Sequence, residues 1–406
     1  MSLGGHGTTP ASGVKPGIDM LLERGLGDLD GAAVGLLTGA SGVTSTLVPT
    51  VTALHAHPGA RLISLFGAEH GVRGEAAAGE HVASGRDPQT GLPVHSLYGE
   101  TREPTDAMLE GLDAIIVDLQ DVGLRYYTYP STVHALLRAA APRKLVVMIL
   151  DRPAPLTGTV VEGPITGQQY RSFVSTPVAP IRHGLTLGEL AQWMNASDNI
   201  RADLRVIAME GWQRERWFDE TGLAWVPPSP NIPTLDTCLA YTATCLIEGT
   251  TVSEGRGTPQ PFQLVGAPWV DGLALAERLN MRELPGVRFR PTWFRPASSK
   301  HATHTCSGVQ MHITDRTSFA GVRTGLHLLA VLRQLYPEQM HWAASKDGGY
   351  FVDLLLGTDQ PRQAIDRGED VDGIVASWNS GTETFEAQRR SVLLYPPSTQ
   401  KGVPSA

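Results

Sequence analysis

Glu69, His70, Arg73 and Glu75 fall within seven positions of the stretch LFGAEHGVRGE, residues 65–75, which also holds three glycines. So much glycine argues against a surface helix, and a plain turn has no need of four ionisable groups. One reading is a solvated loop in which Glu69 and His70 pair locally with Arg73. The other places Glu69 at a strand end inside a pocket. Partial desolvation there would raise its pKa and keep it protonated as a general acid, with His70 orienting it or touching substrate.

A second concentration lies in DLQDVGLRYYTY, residues 118–129, which supplies Asp118, Gln120, Asp121, Arg125, Tyr127 and Tyr129. Carboxylates, a guanidinium and phenol rings together suit a sugar, which offers hydroxyls to polar partners and C–H faces to aromatic rings. The competing roles are structural: an Arg125–Asp118 pair, and tyrosines packed at a rim. Asp151 and Arg152 follow the apolar run LVVMIL; Arg152 either meets substrate or ties loops together. His183 stands before a glycine and a helix start, where capping competes with substrate contact. Asn231 sits in VPPSPNIPT, and Glu248, Glu254 and Arg256 share the glycine-rich EGTTVSEGRGT.

These residues need elements to hold them. Short apolar runs at 33–38, 62–66, 114–118, 145–150 and 204–208 read as buried parallel strands. Helical patterns separate them at 44–57, 104–111, 131–141 and 186–197. Such alternation predicts an open α/β sheet. Ligands of such sheets bind beyond the carboxyl ends of the strands. The loops at 39–45, 67–75, 119–130 and 151–190 are therefore expected to build one large polar pocket.

Residues 226–234 carry four prolines in nine positions and cannot form a regular element. The boundary is placed here, giving units 13–228 and 229–406. In the second unit, a helix is expected at 234–248 and strands at 287–294 and 307–313. A helix at 318–335 and two short ones in 361–380 complete a smaller α/β or α+β domain. Sites often form between domains, so Asn231 and the 248–256 loop are expected to face the first unit's pocket.

Other classes of function find little support. The 406-residue chain has 41% hydrophobic residues and a net charge of -8, with no Lys/Arg-rich run for nucleic acid or an anionic membrane surface. The longest strongly apolar run is far too short to span a bilayer. GASG at 39–42 is no dinucleotide motif, no GxxxxGK[ST] occurs, and no HExxH or CxxC spacing marks a metal. No cofactor is expected. Cys238 and Cys245, seven apart, share a helix face as buried core thiols. The opening MSLGGHGTTPASGVKPG lacks the basic and apolar regions of a signal peptide. As numbered, the chain reads as cytoplasmic, or as a cell-envelope protein whose signal was removed.

LFGAEHGVRGE, TGLPVHSLYG, DLQDVGLRYYTY, LDRPAPLTG, VEGP, RHGLTLGELA, PSPNIPT and SEGRGTPQPF occur in one order. Together they resemble the NamZ-type, YbbC-like exo-β-N-acetylmuramidase family from about residue 13 to residue 395. The resemblance implies a Rossmann-like, mostly parallel sheet domain followed by a smaller C-terminal domain. It also implies removal of N-acetylmuramic acid from the non-reducing end of peptidoglycan fragments. The family's favoured catalytic glutamate, in its PEHG phrase, corresponds to Glu69; Ala68 replaces the usual proline, and Ala154 replaces asparagine in LDRPNP.

Glycosidases generally work with two carboxyl groups about the scissile bond. Glu69 is taken as the acid, with Asp121, Glu75 and Glu254 competing for the second place. Muramic acid bears a lactyl carboxylate, for which Arg73, Arg125, Arg152 and Arg256 are the candidate cations. Two rival readings use the same cleft: a non-catalytic muropeptide- or sugar-binding protein, and a metal-dependent amidase or esterase.

Overall fold

The computed structural model describes residues 13–346, 348–395 and 397; the first twelve residues of the N-terminal stretch lie outside them. The strands of the first half are β1 (Ala33–Thr38), β2 (Arg61–Gly67), β3 (Gly85–Arg86), β4 (Pro93–Ser96), β5 (Ala114–Asp118), β6 (Val146–Leu150) and β7 (Leu204–Ile207). They form one sheet in the order β3-β4-β2-β1-β5-β6-β7. All neighbours run parallel except the short edge strand β3. This is the open α/β sheet the apolar runs imply, extended on the β2 side by two strands the sequence pattern did not reveal.

Every residue of β1, β5 and β6 is buried, as expected for strands covered on both faces. Side chains alternate between those faces. Val34, Leu36, Ile116 and Met148 pack with α1 (Gly17–Arg24) and α2 (Thr50–Ala56). Leu37, Ile115, Val117 and Ile149 join the opposite core, where α4 (Thr128–Ala140) and α5 (Leu187–Ser197) lie. Between these pairs, α3 (Asp106–Leu109) is a single turn. The helix expected at 44–57 begins only at Thr50, because Pro49 disfavours helical backbone before it and Leu47 adopts φ +66. The α5 start fits its sequence signature, with Thr186 and Glu189 forming a reciprocal capping box.

The second half opens with α6 (Leu235–Thr244), which tightens into a 3-10 turn at Cys245–Gly249. There follow β8 (Leu264–Ala267), α7 (Gly272–Asn280), β9 (Val287–Phe294), β10 (Cys306–Ile313) and α8 (Gly321–Leu335). The strands make an antiparallel sheet in the order β8-β10-β9. Four short helices end the chain: α9 (Phe351–Leu356), α10 (Gln360–Asp366), α11 (Val371–Ala376) and α12 (Asn379–Arg389).

The last of these return to the first sheet. Arg389 donates to the carbonyls of His183 and Gly184, and the Tyr395 hydroxyl donates to Asp151 at 2.8 Å. One apolar cluster runs from Val117 and Tyr126 into Tyr241, Leu246 and Leu326 without a break. Among the described residues no helix is long and apolar enough to cross a membrane.

At the carboxyl end of β5, Asp118 is fully buried and pairs with Arg152, whose Nε and a terminal nitrogen lie 2.5 and 2.8 Å from its oxygens. Thr50 also donates to Asp118, and Arg152 donates to the Val43 carbonyl. The pair therefore ties the ends of β5 and β6 to the loop after β1. Removing one partner would strand a buried charge. Arg152→Met should therefore cost about 3–5 kcal/mol of unfolding free energy in a urea titration. A loss below about 1 kcal/mol would contradict this structural role.

Candidate active site

The sharp turn after β2 is built from two consecutive left-handed residues, His70 at φ +76 and Gly71 at φ +78. Glycine adopts this conformation freely, whereas histidine is strained there. The turn leaves Glu69 and His70 facing a cavity of about 510 Å³ between the two sheets' layers. That volume suits one or two sugar rings by the usual size of ligand clefts.

Glu69 is held at both oxygens. Oε1 accepts from the Gly79 amide at 2.9 Å, and Oε2 from the hydroxyl of Thr128, the first residue of α4, at 2.7 Å. His70 places Nδ1 2.9 Å from the Ala76 carbonyl. A carbonyl only accepts, so Nδ1 carries the proton and Nε2 keeps its lone pair. Burial lowers the His70 pKa despite the opposing charge of Glu69, so the ring stays neutral near pH 7. Tyr98 stands beside Glu69; burial, and then the Glu69 charge, push its phenol up to about 12.

The second half supplies the facing wall. Glu248, Glu254, Arg256 and Lys300 line the same cavity. Arg256 lies 2.9 Å from Glu248 and 3.3 Å from Glu254. Lys300 lies 3.0 Å from Glu254 and also donates to the carbonyls of Ile247, Glu248 and Val252. Burial raises the Glu248 pKa, Arg256 opposes this, and the neighbouring Glu254 adds to the rise. Asn231 lines the cavity as well, along with Tyr126, Tyr127 and the Phe262 ring that Arg256 overlies at 4.9 Å.

Several expected site residues are engaged elsewhere. The Arg73 guanidinium pairs with Asp87 at 2.7 Å, outside the cavity. Arg125 does not pair with Asp118; fully buried, it donates to the carbonyls of Pro164, Ala179 and Leu355. Asp118 and Arg152 hold each other, and Gln120 donates to the carbonyls of Asp121 and Pro153. Glu75 is exposed and Tyr129 buried, and neither lines the cavity. Tyr127 and Tyr129 both donate to the Pro228 carbonyl, at 3.0 and 2.8 Å, and so clasp the proline-rich hinge. Buried His183 accepts from the Leu185 amide, and burial lowers its pKa to about 3. The loops at 39–45 and 151–164 contribute nothing to the cavity wall. The crevice at the β1/β5 switch point is filled by the Asp118–Arg152 pair and its neighbours. The cavity opens instead beyond β2 and β5, against the second half.

Among the polar residues lining the cavity, Tyr98, Thr128 and Lys300 are among those that sequence reasoning does not single out, whereas Glu248 is on the wall where its loop is expected. Tyr98 lies in TGLPVHSLYG, next to a glycine, and Thr128 in DLQDVGLRYYTY, so both sit inside motifs that carry a usable signal. Lys300, in an unremarkable PASSKHATH loop, gave none.

Asp121 also lies outside the cavity. Its Oδ2 accepts the Gly123 amide at 2.7 Å, while its buried Oδ1 has no partner among the described residues. Burial raises its pKa to about 7. A raised folded value means the native state holds this proton more tightly than the unfolded chain. Its contribution to stability is present below the ordinary carboxyl range and lost as pH rises through about 7. Asp121→Asn should remove a slope of up to about 1.4 kcal/mol per pH unit between roughly pH 4 and 7. Paired urea titrations across that range test this; parallel stability profiles would refute it.

Among the described residues no group of three or more His, Cys, Asp or Glu side chains is arranged to hold a metal ion. The fold and cavity thus define a two-domain α/β protein with a sugar-sized, carboxyl-rich cleft between its layers. Comparison with known proteins makes the class specific. The N-terminal and C-terminal domain models of exo-β-N-acetylmuramidase NamZ match residues 34–236 and 239–395. The chain belongs to this family of glycoside hydrolases. It is 44% identical over 382 residues to the peptidoglycan β-N-acetylmuramidase NamZ of Bacillus subtilis strain 168, covering 94% of this chain and 91% of that protein. Two crystal structures of DUF1343 family proteins from Bacteroides fragilis NCTC 9343 share the fold. One has a TM-score of 0.87 at 35% identity, covering 94% of this chain and 99% of the other. The second has a TM-score of 0.75 at 29% identity, covering 95% and 100%.

Proposed function

We propose that this protein is an exo-acting glycoside hydrolase that removes N-acetylmuramic acid from the non-reducing end of peptidoglycan fragments. Units 13–228 and 229–406 close on the substrate from either side. The observation that carries the reading is Glu69 fixed at both oxygens in a cleft whose opposite wall bears two further carboxyls.

Glu69 acts as the general acid. Oε1 accepts from an amide N–H, which can only donate, so Oε2 is the oxygen from which a proton can be passed on. There the Thr128 hydroxyl can accept as well as donate. Proton transfer to the glycosidic oxygen leaves a carboxylate that both groups can stabilise. Glu248 is the second carboxyl. Glu254 is nearly fully buried and clamped by two cations, so it orients Arg256 and Lys300. Arg256 is the cation for the lactyl carboxylate, since Arg73, Arg125 and Arg152 are spent on structural partners. His70 and Tyr98 position Glu69 and substrate, and the rings of Tyr126 and Tyr127 furnish sugar-facing surface.

Glu69→Gln and Glu248→Gln should each fold normally and lower hydrolysis of a chromogenic muramide by ~10²–10⁴-fold. Near wild-type turnover by Glu69→Gln would remove it as the acid. If purified protein binds the muramide yet releases no free N-acetylmuramic acid, it is a binding protein instead. Exhaustive chelation should leave the rate unchanged; loss of activity restored by a divalent ion would favour a metal-dependent amidase or esterase.

A further inference from the structure

A second cavity, of about 870 Å³, lies on the flank of the first sheet domain. Its walls are the second half of α4, residues 168–176, and the turn after α5. Three guanidiniums line it, those of Arg138, Arg171 and Arg201, against one carboxylate, Asp198. Arg171 and Asp198 form an ion pair at the cavity wall. Arg138 and Arg201 have no carboxylate partner among the described residues, and Arg201 is hydrogen-bonded to the neutral Asn199 side chain. His134 donates to Asp198 at 2.7 Å, and burial keeps the ring below its usual pKa. The net charge lining the cavity is thus about +2, on a chain whose overall charge is -8. Ser172 also lines the cavity, and its hydroxyl, buried away from solvent, has no hydrogen-bond partner among the described residues.

We propose that this cavity is a binding site for a phosphate group, free or carried on a sugar-sized molecule. The charge selects phosphate: near pH 7 it carries -1.5 to -2, whereas a carboxylate would leave one guanidinium unmatched. Guanidiniums bind such oxyanions bidentately. The volume is well beyond one phosphate and accommodates a hexose body. The same loop presents Val174 to the catalytic cleft and Phe173 to Tyr98, with ring centroids 5.9 Å apart, so this site backs onto the cleft wall without sharing a residue with it.

Calorimetric titration with inorganic phosphate, glucose 6-phosphate, glucose and acetate, at matched ionic strength, tests the proposal. Saturable binding of either phosphate, with none for glucose or acetate, is expected. Tighter binding of glucose 6-phosphate would assign a sugar phosphate, and tighter binding of inorganic phosphate the free ion. Arg138 and Arg201 are exposed, so Arg138→Gln/Arg201→Gln should fold, keep muramide turnover, and bind phosphate at least ~10-fold more weakly. Absence of saturable phosphate binding, acetate binding as well as phosphate, or affinity unchanged in the double variant would overturn it. None of these binding readouts depends on whether the cleft hydrolyses a muramide.

Discussion

The apolar cluster that passes from the parallel sheet into α6 and α8 is the constraint on which the rest depends. It is one core rather than two that touch, so the halves cannot separate without exposing it. Hydrophobic burial sets how closely the halves approach, and polar contacts set their register. Tyr126 donates to the carbonyls of Tyr241 and Thr242, Tyr127 and Tyr129 donate to Pro228, and Arg125 donates to Leu355. The cleft between Glu69 and Glu248 is what this arrangement leaves unfilled.

Charged residues divide into two populations on this frame. At the carboxyl ends of β5 and β6, Asp118 and Arg152 are buried and satisfy each other, as buried charge requires, while the buried Asp121 keeps one oxygen without a partner among the described residues. Asp118 with Arg152, and Glu189 with Arg214, brace the loops and the returning C-terminus. Those lining the cleft are also partnered, but two of them keep a side open. Glu248 keeps part of its surface open, and His70 keeps a lone pair facing ligand space. The cavity therefore sits beside the usual ligand crevice of an open α/β sheet. The crevice itself was spent on rigidity.

Much of the fold could be read from local pattern. The runs AVGLLT and AIIVD became the fully buried β1 and β5, and Thr186 with Glu189 marked the start of α5. Elements with weak periodicity, such as β3, β4 and the short β8, could not be read. In the site, Glu69 and His70 stood out because glycine and ionisable groups follow a buried strand. Asp118, Arg125 and Arg152 carry the same kind of local signal, yet their side chains are engaged with each other or with backbone carbonyls away from the cavity.

The sequence by itself determined the alternation of the main strands and helices of the first half, the sheet class and the position of Glu69 just past a strand end. These follow from side-chain period and turn chemistry, which act over a few residues. Only the tertiary structure decided which polar groups meet. Arg125 finds its Leu355 partner 230 residues away, and Glu69 faces carboxyls from beyond the hinge. A buried polar group must be paired, yet nothing local names its partner. That choice is made when the shared core closes and brings distant donors and acceptors within bonding distance.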